Sequence, residues 1–304
     1  MKVYTNCIAC QVQVRFKDIE RLVKDEDRRF EIMRLIIEHL DNTLSSCRSR
    51  LDSRCVPTVI ATNLFRIVKN ATGDKDPYRE AKKQANKEAL KLYKGLENLV
   101  ESIGDLRDKL YTALKISLVG NLIDLGVAGY IAPETSKVID IVNDLEVLGD
   151  VEPCLITLLK SKKIAMILDN AGEAVFDRIL ANVLRSEGKY VVAIVKGGAF
   201  QNDVTYLDAE DAGLRFSFDE VYSTGTDASS VFIEEVDESL LEILKGVDVV
   251  VSKGMANYEY ITEIELLLGV PIIYMLIAKC LPVAKDLGVP LGKAVIKLSN
   301  YLVR

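Results

Sequence analysis

The sequence predicts a three-layer α/β/α sandwich with a mostly parallel sheet, preceded by an N-terminal helical part. Three observations carry this. The first 150 residues repeat apolar side chains at helical spacing. After them, short runs rich in Val and Ile recur without polar alternation, and helical stretches fall between those runs. Strands that do not alternate are covered on both faces, and strand–helix alternation places neighbouring strands parallel.

The elements follow in chain order. "RRFEIMRLIIEHL" repeats apolar residues at three and four positions, with Asp27 just before it as a candidate cap. "PTVIATNLFRIVKNATG" keeps that period and stops at Gly73. In "DPYREAKKQANKEALKLYKGLENLVESI", Asp76 before Pro77 makes a natural helix entry. The best border lies in "DLEVLGDVEPC", which divides the chain into a helical part over 1–150 and an α/β part over 151–304. Beyond it the expected strands are "KIAMILD", "YVVAIVKG", "EVYST", "VDVVVSKG" and "VPIIYMLIAK". "AVFDRILANVLRSEG" and "ESLLEILKG" are helices between them.

Composition bounds the class. A hydrophobic fraction of 49% and a charged fraction of 28% describe a globular chain with a sizeable core. The net charge of −6 and the scattered basic residues argue against nucleic acid as a partner. "MKVYTNCIACQVQVRFKD" lacks the apolar core of a secretory signal, and the most apolar stretch, "ISLVGNLIDLGVAGYIA", is broken by Asn121 and Asp124. A cytoplasmic protein with no membrane partner is the expectation. Four of the six cysteines lie early. Cys7 and Cys10, then Cys47 and Cys55, suit zinc, disulfides or simple burial as small hydrophobes. The single histidine, His39, reads as structural, so imidazole base catalysis is not expected.

Chemistry is expected at the carboxyl ends of the strands, where ligands collect in open parallel sheets. After "KIAMIL" comes Asp169-Asn170-Ala171-Gly172-Glu173. Lys196-Gly197-Gly198 and Asn202-Asp203 follow "YVVAIV", Thr224-Gly225-Thr226-Asp227 follows "EVYS", and Lys253-Gly254 and Asn257 follow "VDVVVS". Turns alone favour Gly, Asn and Asp. Asp169 would equally cap a helix, Asn202-Asp203 would equally form a turn, and Lys253 would equally be a solvated lysine. Taken together, the set suits a hard cation beside an anion. Oxygens of Asp169, Asn170 and Asp203 are candidate ligands for Mg²⁺ or Mn²⁺, with Co²⁺ and Ni²⁺ as alternatives, and Lys253 and the Gly254 amide are candidate phosphate donors.

Other devices are absent. Ala171 stands where a haloacid-dehalogenase-type phosphatase needs its second Asp. "GVPLGKA" is too short for a P-loop and ends in Ala294 where Ser or Thr is needed. There is no dinucleotide-binding glycine fingerprint and no G-x-S-x-G elbow.

"LDNAGE", "VKGGAFQNDVTYLDAEDAGL" and "SKGMANYE" resemble the signature segments of the domain-of-unknown-function 89 family, the damage-control phosphatases. "TGDKDPYREAKKQAN", "GNLIDLG" and the early Cys7-x-x-Cys10 extend the likeness, in order, along nearly the whole chain, and it is nearest the smaller microbial branch. The resemblance implies a metal-dependent phosphatase of small phosphorylated metabolites, such as sugar phosphates or damaged cofactor precursors. It implies Asp169, Asn170 and Asp203 as metal ligands and Lys253 on the substrate phosphate, with Asn257 and Glu259 nearby. Asn121 and Asp124 would line the same cleft, and Glu173 would stand behind the ligands. The expected reaction is metal-assisted attack of water on a phosphomonoester, with direct attack by Asp203 or Asp169 as the alternative route, and with Asp169, Asp203 and Lys253 as the catalytic set. The competing readings are a non-catalytic phosphometabolite-binding protein or a carboxyl methyltransferase on the same scaffold. A metal-storage or redox protein built on the four early cysteines ranks last.

Overall fold

The computed structural model describes residues 1–47, 55–122 and 134–299. It opens with helices α1 (Thr5–Leu22), α2 (Glu26–Ser46), α3 (Pro57–Thr72), α4 (Arg79–Glu101), α5 (Leu106–Leu122) and α6 (Thr135–Asp144). The sheet region then runs β1 (Val147–Gly149), α7 (Val151–Lys160), β2 (Lys163–Ile167), α8 (Glu173–Ser186), β3 (Tyr190–Val195) and α9 (Asp208–Asp211). It closes with β4 (Glu220–Ser223), α10 (Glu238–Lys245), β5 (Val249–Lys253), α11 (Met255–Leu268), β6 (Ile272–Ile277), α12 (Leu281–Leu287) and β7 (Ala294–Leu298).

All five expected strands are present, joined by two that the apolar runs do not announce. The seven-stranded sheet has the order β1-β7-β6-β5-β2-β3-β4. Strands β6, β5, β2, β3 and β4 are parallel, and β7 pairs antiparallel with β6. β1 is three residues long and falls inside the "DLEVLGDVEPC" border, where it pairs with β7. Too short to show a period, it is held by its neighbour.

Each face of the sheet is covered, as strands without polar alternation require. Ile164, Met166, Val191, Ala193, Val249 and Val251 point to one side, under α4, α5, α7 and α8. Ala165, Ile167, Val192, Ile194 and Val250 point to the other, under α10, α11 and α12. Helix α8 buries Phe176, Ile179, Leu180 and Leu184 in the first layer. A fully buried side chain of this size contributes about 1.5–3 kcal/mol. Helices α1, α2 and α3 enclose a smaller core of their own around Ile32, Ile36, Leu64 and Phe65. Helices α4 and α5 therefore belong with the sheet's core, although they precede every strand.

Helix entries shift slightly from expectation. The α2 cap is Asp25, whose side chain accepts from the Arg28 amide at 2.8 Å, not Asp27, which lies in the first turn. Helix α3 ends at Gly73 in the left-handed region, φ 72°. Helix α4 starts at Arg79, where the Asp76 carbonyl accepts from the Arg79 amide at 3.1 Å.

Candidate functional site

The sheet order places a crevice where sequence cannot. The chain leaves β2 to build β3 and β4 on one side, then returns to build β5 and β6 on the other. The β2/β5 seam is thus the topological switch point, where ligands collect beyond the carboxyl ends of the strands. Ile167 is paired with Ser252. Continuing that register by two residues brings Asp169 opposite Gly254.

Gly254 shows how close they are. Its φ is +81°, and a Cβ built on it would lie 2.0 Å from Asp169 Oδ2. Only glycine accommodates both the backbone and the carboxylate. Gly254→Ala is expected to lose about 3 kcal/mol of unfolding free energy in urea, together with the position of Asp169. A loss below about 1 kcal/mol would show that Asp169 has room to turn away.

Asp203 reaches the same place by a local fold-back. After β3 the chain loops so that residues 202–204 run antiparallel to 169–171, with Asn170 and Asp203 bridged. The Val204 amide donates to the Asp169 carbonyl and the Ala171 amide to the Asn202 carbonyl, both at 2.9 Å. Gln201 turns the loop with φ 42°, a value unusual for a residue other than glycine. Thr205 donates its hydroxyl and amide to Asp208 Oδ2 at 2.6 and 2.9 Å, and the short α9 that follows has no side-chain cap, so Asp203 has no capping duty.

The carboxylates are tied together by amides. Asn170 Nδ2 lies 2.7 Å from Asp169 Oδ2 and 3.1 Å from Glu173 Oε2. Asn121 Nδ2, from the end of α5, donates to the same two oxygens at 3.1 and 2.7 Å. Neither α8 nor α11 has a side chain capping its N-terminus, so Asp169 is not a helix cap. Asp169, Glu173 and Asp203 are all buried. Burial raises the Asp169 pKa well above its ordinary value, and Glu173 and Asp203 raise it further. Burial likewise lifts Asp203 to about 7, against the pull of Lys196 and Lys82.

Lys253 lies elsewhere than an open phosphate donor would. It is fully buried beneath the carboxylates. Its ammonium is 2.7 Å from Glu173 Oε1, Asp177 Oδ1 and Ser117 Oγ, and 3.0 Å from the Ser117 carbonyl. Four oxygens share three protons, so none is left for a phosphate. Burial alone would lower its pKa, but Asp177 and Glu173 carry it above the ordinary value. Glu173, which burial would raise, is drawn below its ordinary value by Lys253 and the two amides. The Gly254 amide is also engaged, donating to the Met275 carbonyl at 3.0 Å. Its contribution is the missing Cβ.

The remaining candidates fall at differing distances. Asn257 is fully buried, its Nδ2 donating to the Lys253 carbonyl at 2.8 Å and its Oδ1 facing Lys196 Nζ at 3.3 Å. Glu259 lies on α11 and accepts from Thr58 Oγ1 at 2.8 Å, so it joins α11 to α3. Asp124 lies outside the described residues. Cys47 and Cys55 form a disulfide, while Cys7 and Cys10 are free thiols. His39 is on α2, where its carbonyl accepts from Thr43.

Sequence reasoning left several residues of this site without a role. Lys196 ends β3 and is 1% exposed. Asp177 sits four residues after Glu173 on α8, so two acids share an otherwise apolar helix face, and that spacing was a readable signal. Lys82 is buried between Asp76 and Asp208 at 2.9 and 2.6 Å, and Asn86 Oδ1 accepts from the Gly172 amide at 2.7 Å. These two account for the "DPYREAKKQAN" segment, which packs α4 against the site.

The residues present fit a hard divalent cation. Asp203 Oδ2 is buried without a hydrogen-bond partner among the described residues. The donors are oxygens of two aspartates and an amide, and like charges crowd Asp169. Among the described residues, no group of three or more His, Cys, Asp or Glu side chains is placed to hold a metal. The Asp–Asn–Asp triad has only two such side chains.

Burial holds Glu259 near pKa 7, against an ordinary value of 4.5. The native state keeps that proton while the unfolded chain has lost it. Stability is therefore expected to fall as pH rises from 4.5 to about 7, and to bear the whole penalty above that range. Glu259→Gln should match the parent's Tm near pH 4 and exceed it at pH 8. Equal Tm values at pH 8 would contradict a buried, charge-averse Glu259.

A parallel-stranded sandwich with an acidic, oxygen-lined centre at its switch point defines the class, α/β/α proteins whose site is held by the loops after neighbouring strands. Within it, the chain belongs to the damage-control phosphatase ARMT1-like domain family, whose model matches residues 3–295. It is 31% identical over 307 residues to a damage-control phosphatase of Archaeoglobus fulgidus, covering 98% of this chain and 99% of that one. It is also 31% identical over 299 residues to an uncharacterised protein of Methanocaldococcus jannaschii, covering 97% and 95% of the two chains. The crystal structure of a DUF89 family protein from Pyrococcus horikoshii superposes with a TM-score of 0.84 at 27% identity, covering 97% of this chain and 98% of that one. No helix among the described residues is long and apolar enough to cross a membrane.

Proposed function

We propose that the protein is a metal-dependent phosphomonoesterase acting on small phosphorylated metabolites. One observation carries the reading. Asp169, Asn170 and Asp203 bring oxygen donors to the switch point of the sheet, and a buried Asp203 oxygen there has no hydrogen-bond partner among the described residues, with only the Lys196 ammonium near it at 3.6 Å. The likeness to damage-control phosphatases of Archaeoglobus fulgidus and Pyrococcus horikoshii supports it.

Asp169, Asn170 and Asp203 would hold the cation, which is Mg²⁺, Mn²⁺, Co²⁺ or Ni²⁺. When bound, it supplies positive charge against the oxygens of the transferring phosphoryl group. The chain's own residues set the geometry. Asn121 fastens Asp169 to Glu173, and Lys253 holds Glu173 and Asp177 in place from below. The N-termini of α8 and α11, free of side-chain caps, direct positive dipole ends toward an anion in the crevice. Burial of Asn121, Asp169, Glu173, Asp177, Asp203 and Lys253 excludes bulk water around them and strengthens each of these interactions, while Asn170 is half-buried.

The test is hydrolysis of a panel of sugar and cofactor phosphates by metal-stripped protein. Each metal is returned singly, with Asp169→Ala alongside. Turnover that requires metal and disappears in the variant is expected. Phosphate binding without turnover for any metal would instead identify a non-catalytic binding protein.

A further inference from the structure

We propose that Lys196, at the end of β3, supplies the ammonium that takes up the substrate's phosphoryl oxygen, and that Lys253 acts only as a positioning residue. The inference rests on the phosphatase reading above and names the cation of its phosphate subsite.

The two buried lysines differ in what surrounds them. Lys253 has four oxygens within 3.0 Å for its three protons. Lys196 is as deeply buried, at 1% exposure, yet among the described residues has one hydrogen bond, 3.3 Å to Asn257 Oδ1. Asp203 Oδ2 forms an ion pair with it at 3.6 Å, beyond hydrogen-bond reach. Two of its protons therefore lack hydrogen-bond acceptors among the described residues. An anion supplying those acceptors would lower the cost of burying the ammonium.

Its placement tells where the anion would sit. Lys196 is fixed through its backbone, its amide donating to the Val204 carbonyl at 3.1 Å and its carbonyl accepting from Tyr206 at 2.9 Å. These bonds hold it against the 202–204 fold-back that carries Asp203. Asn257, anchored by the Lys253 and Leu168 carbonyls, receives its ammonium from the opposite side. The ammonium is thus held between a candidate metal ligand on β3's loop and the first turn of α11. A phosphate taken up beside a cation that Asp169, Asn170 and Asp203 would hold could be met by this ammonium.

The subsite is tested by calorimetric binding of inorganic phosphate to the full chain loaded with Mn²⁺, with Mn²⁺ affinity measured separately for each variant. Lys196→Met is expected to keep Mn²⁺ affinity within about threefold and to weaken phosphate by about ten- to a hundredfold, the range for loss of a charge-assisted hydrogen bond. Lys196→Arg, which keeps the charge, should fall between. Lys196→Gln replaces the Met variant if that one does not fold. In folded Lys253→Gln, phosphate affinity should fall less than in Lys196→Met, because Lys253 reaches no phosphate oxygen itself. If phosphate binds the parent but is unaffected by loss of Lys196, or if Lys253→Gln alone abolishes it, this assignment fails and the phosphatase reading stands. If the Mn²⁺-loaded parent binds no phosphate, both fail.

Discussion

Asp203→Asn is expected to lower metal-dependent phosphate-ester turnover by roughly a thousandfold, about 4 kcal/mol of lost transition-state stabilisation, and to raise the Tm of the metal-free protein. The two effects have one cause. In the absence of a cation, Asp203 stands buried beside Asp169 and Glu173, and burial lifts its pKa from 3.8 to about 7. Above pH 7 the metal-free protein must hold that carboxylate ionised against its surroundings, which weakens the fold. The amide removes the charge and the penalty, so the variant should gain up to about 4 kcal/mol at pH 8, the pull of Lys196 being already included in the pKa. At pH 3, where the carboxyl is protonated in both states, the two proteins should melt together. Added Mn²⁺ should then reverse the ranking, because it stabilises only the protein that binds it. Thermal melts with chelator and with metal provide the check. A variant less stable than its parent at pH 8 in chelator would show that Asp203 is held by favourable interactions, not poised for a cation.

Lys253→Met should be among the most destabilising single changes in the sheet region, at about 3–5 kcal/mol in urea unfolding. Removing the ammonium leaves Glu173 and Asp177 facing one another without a counter-ion at essentially zero exposure. Asp177 is already raised to about 6, because burial outweighs the pull of Lys253. Without that pull it would rise further and take up a proton at neutral pH. Removing a second charge should then relieve part of the loss, so Lys253→Met with Asp177→Leu is expected to be more stable than the lysine variant alone. Additive destabilisation would mean that the three groups act separately. Activity would fall in either variant, since Glu173 and Asn121 position Asp169, but the structural loss should dominate.

Much of the fold was legible because it rests on periodicity. The runs "KIAMI", "YVVAIV", "EVYS", "VVVSK" and "IIYMLI" are strands since nothing polar interrupts them, and a sheet covered on both faces demands that. β1 and β7 were not legible. Three residues carry no period, and β7 follows a glycine-rich turn and pairs antiparallel on the far side of β6. The border at residue 150 has the same origin. Helical spacing ends there, but spacing does not report what a helix packs against, and α4 and α5 share the sheet's core.

For the site, sequence alone determined which residue types stand at the strand ends, because apolar runs end where their polar neighbours begin. Asp169, Asn170, Asp203, Asn257 and the lysines of β3 and β5 were all marked in this way. Their division of labour was decided by tertiary structure. Strand order brought β2 and β5 together, which set Asp169 against Gly254. The fold-back after β3 set Asp203 beside Asn170. Packing of α5 and α8 under β5 surrounded Lys253 with Ser117, Glu173 and Asp177 and left Lys196 with protons to offer. A lysine's chemistry depends on how many acceptors surround it, and the hydrogen-bond acceptors of these two come from parts of the chain 61 to 136 residues away, beyond the reach of any local pattern.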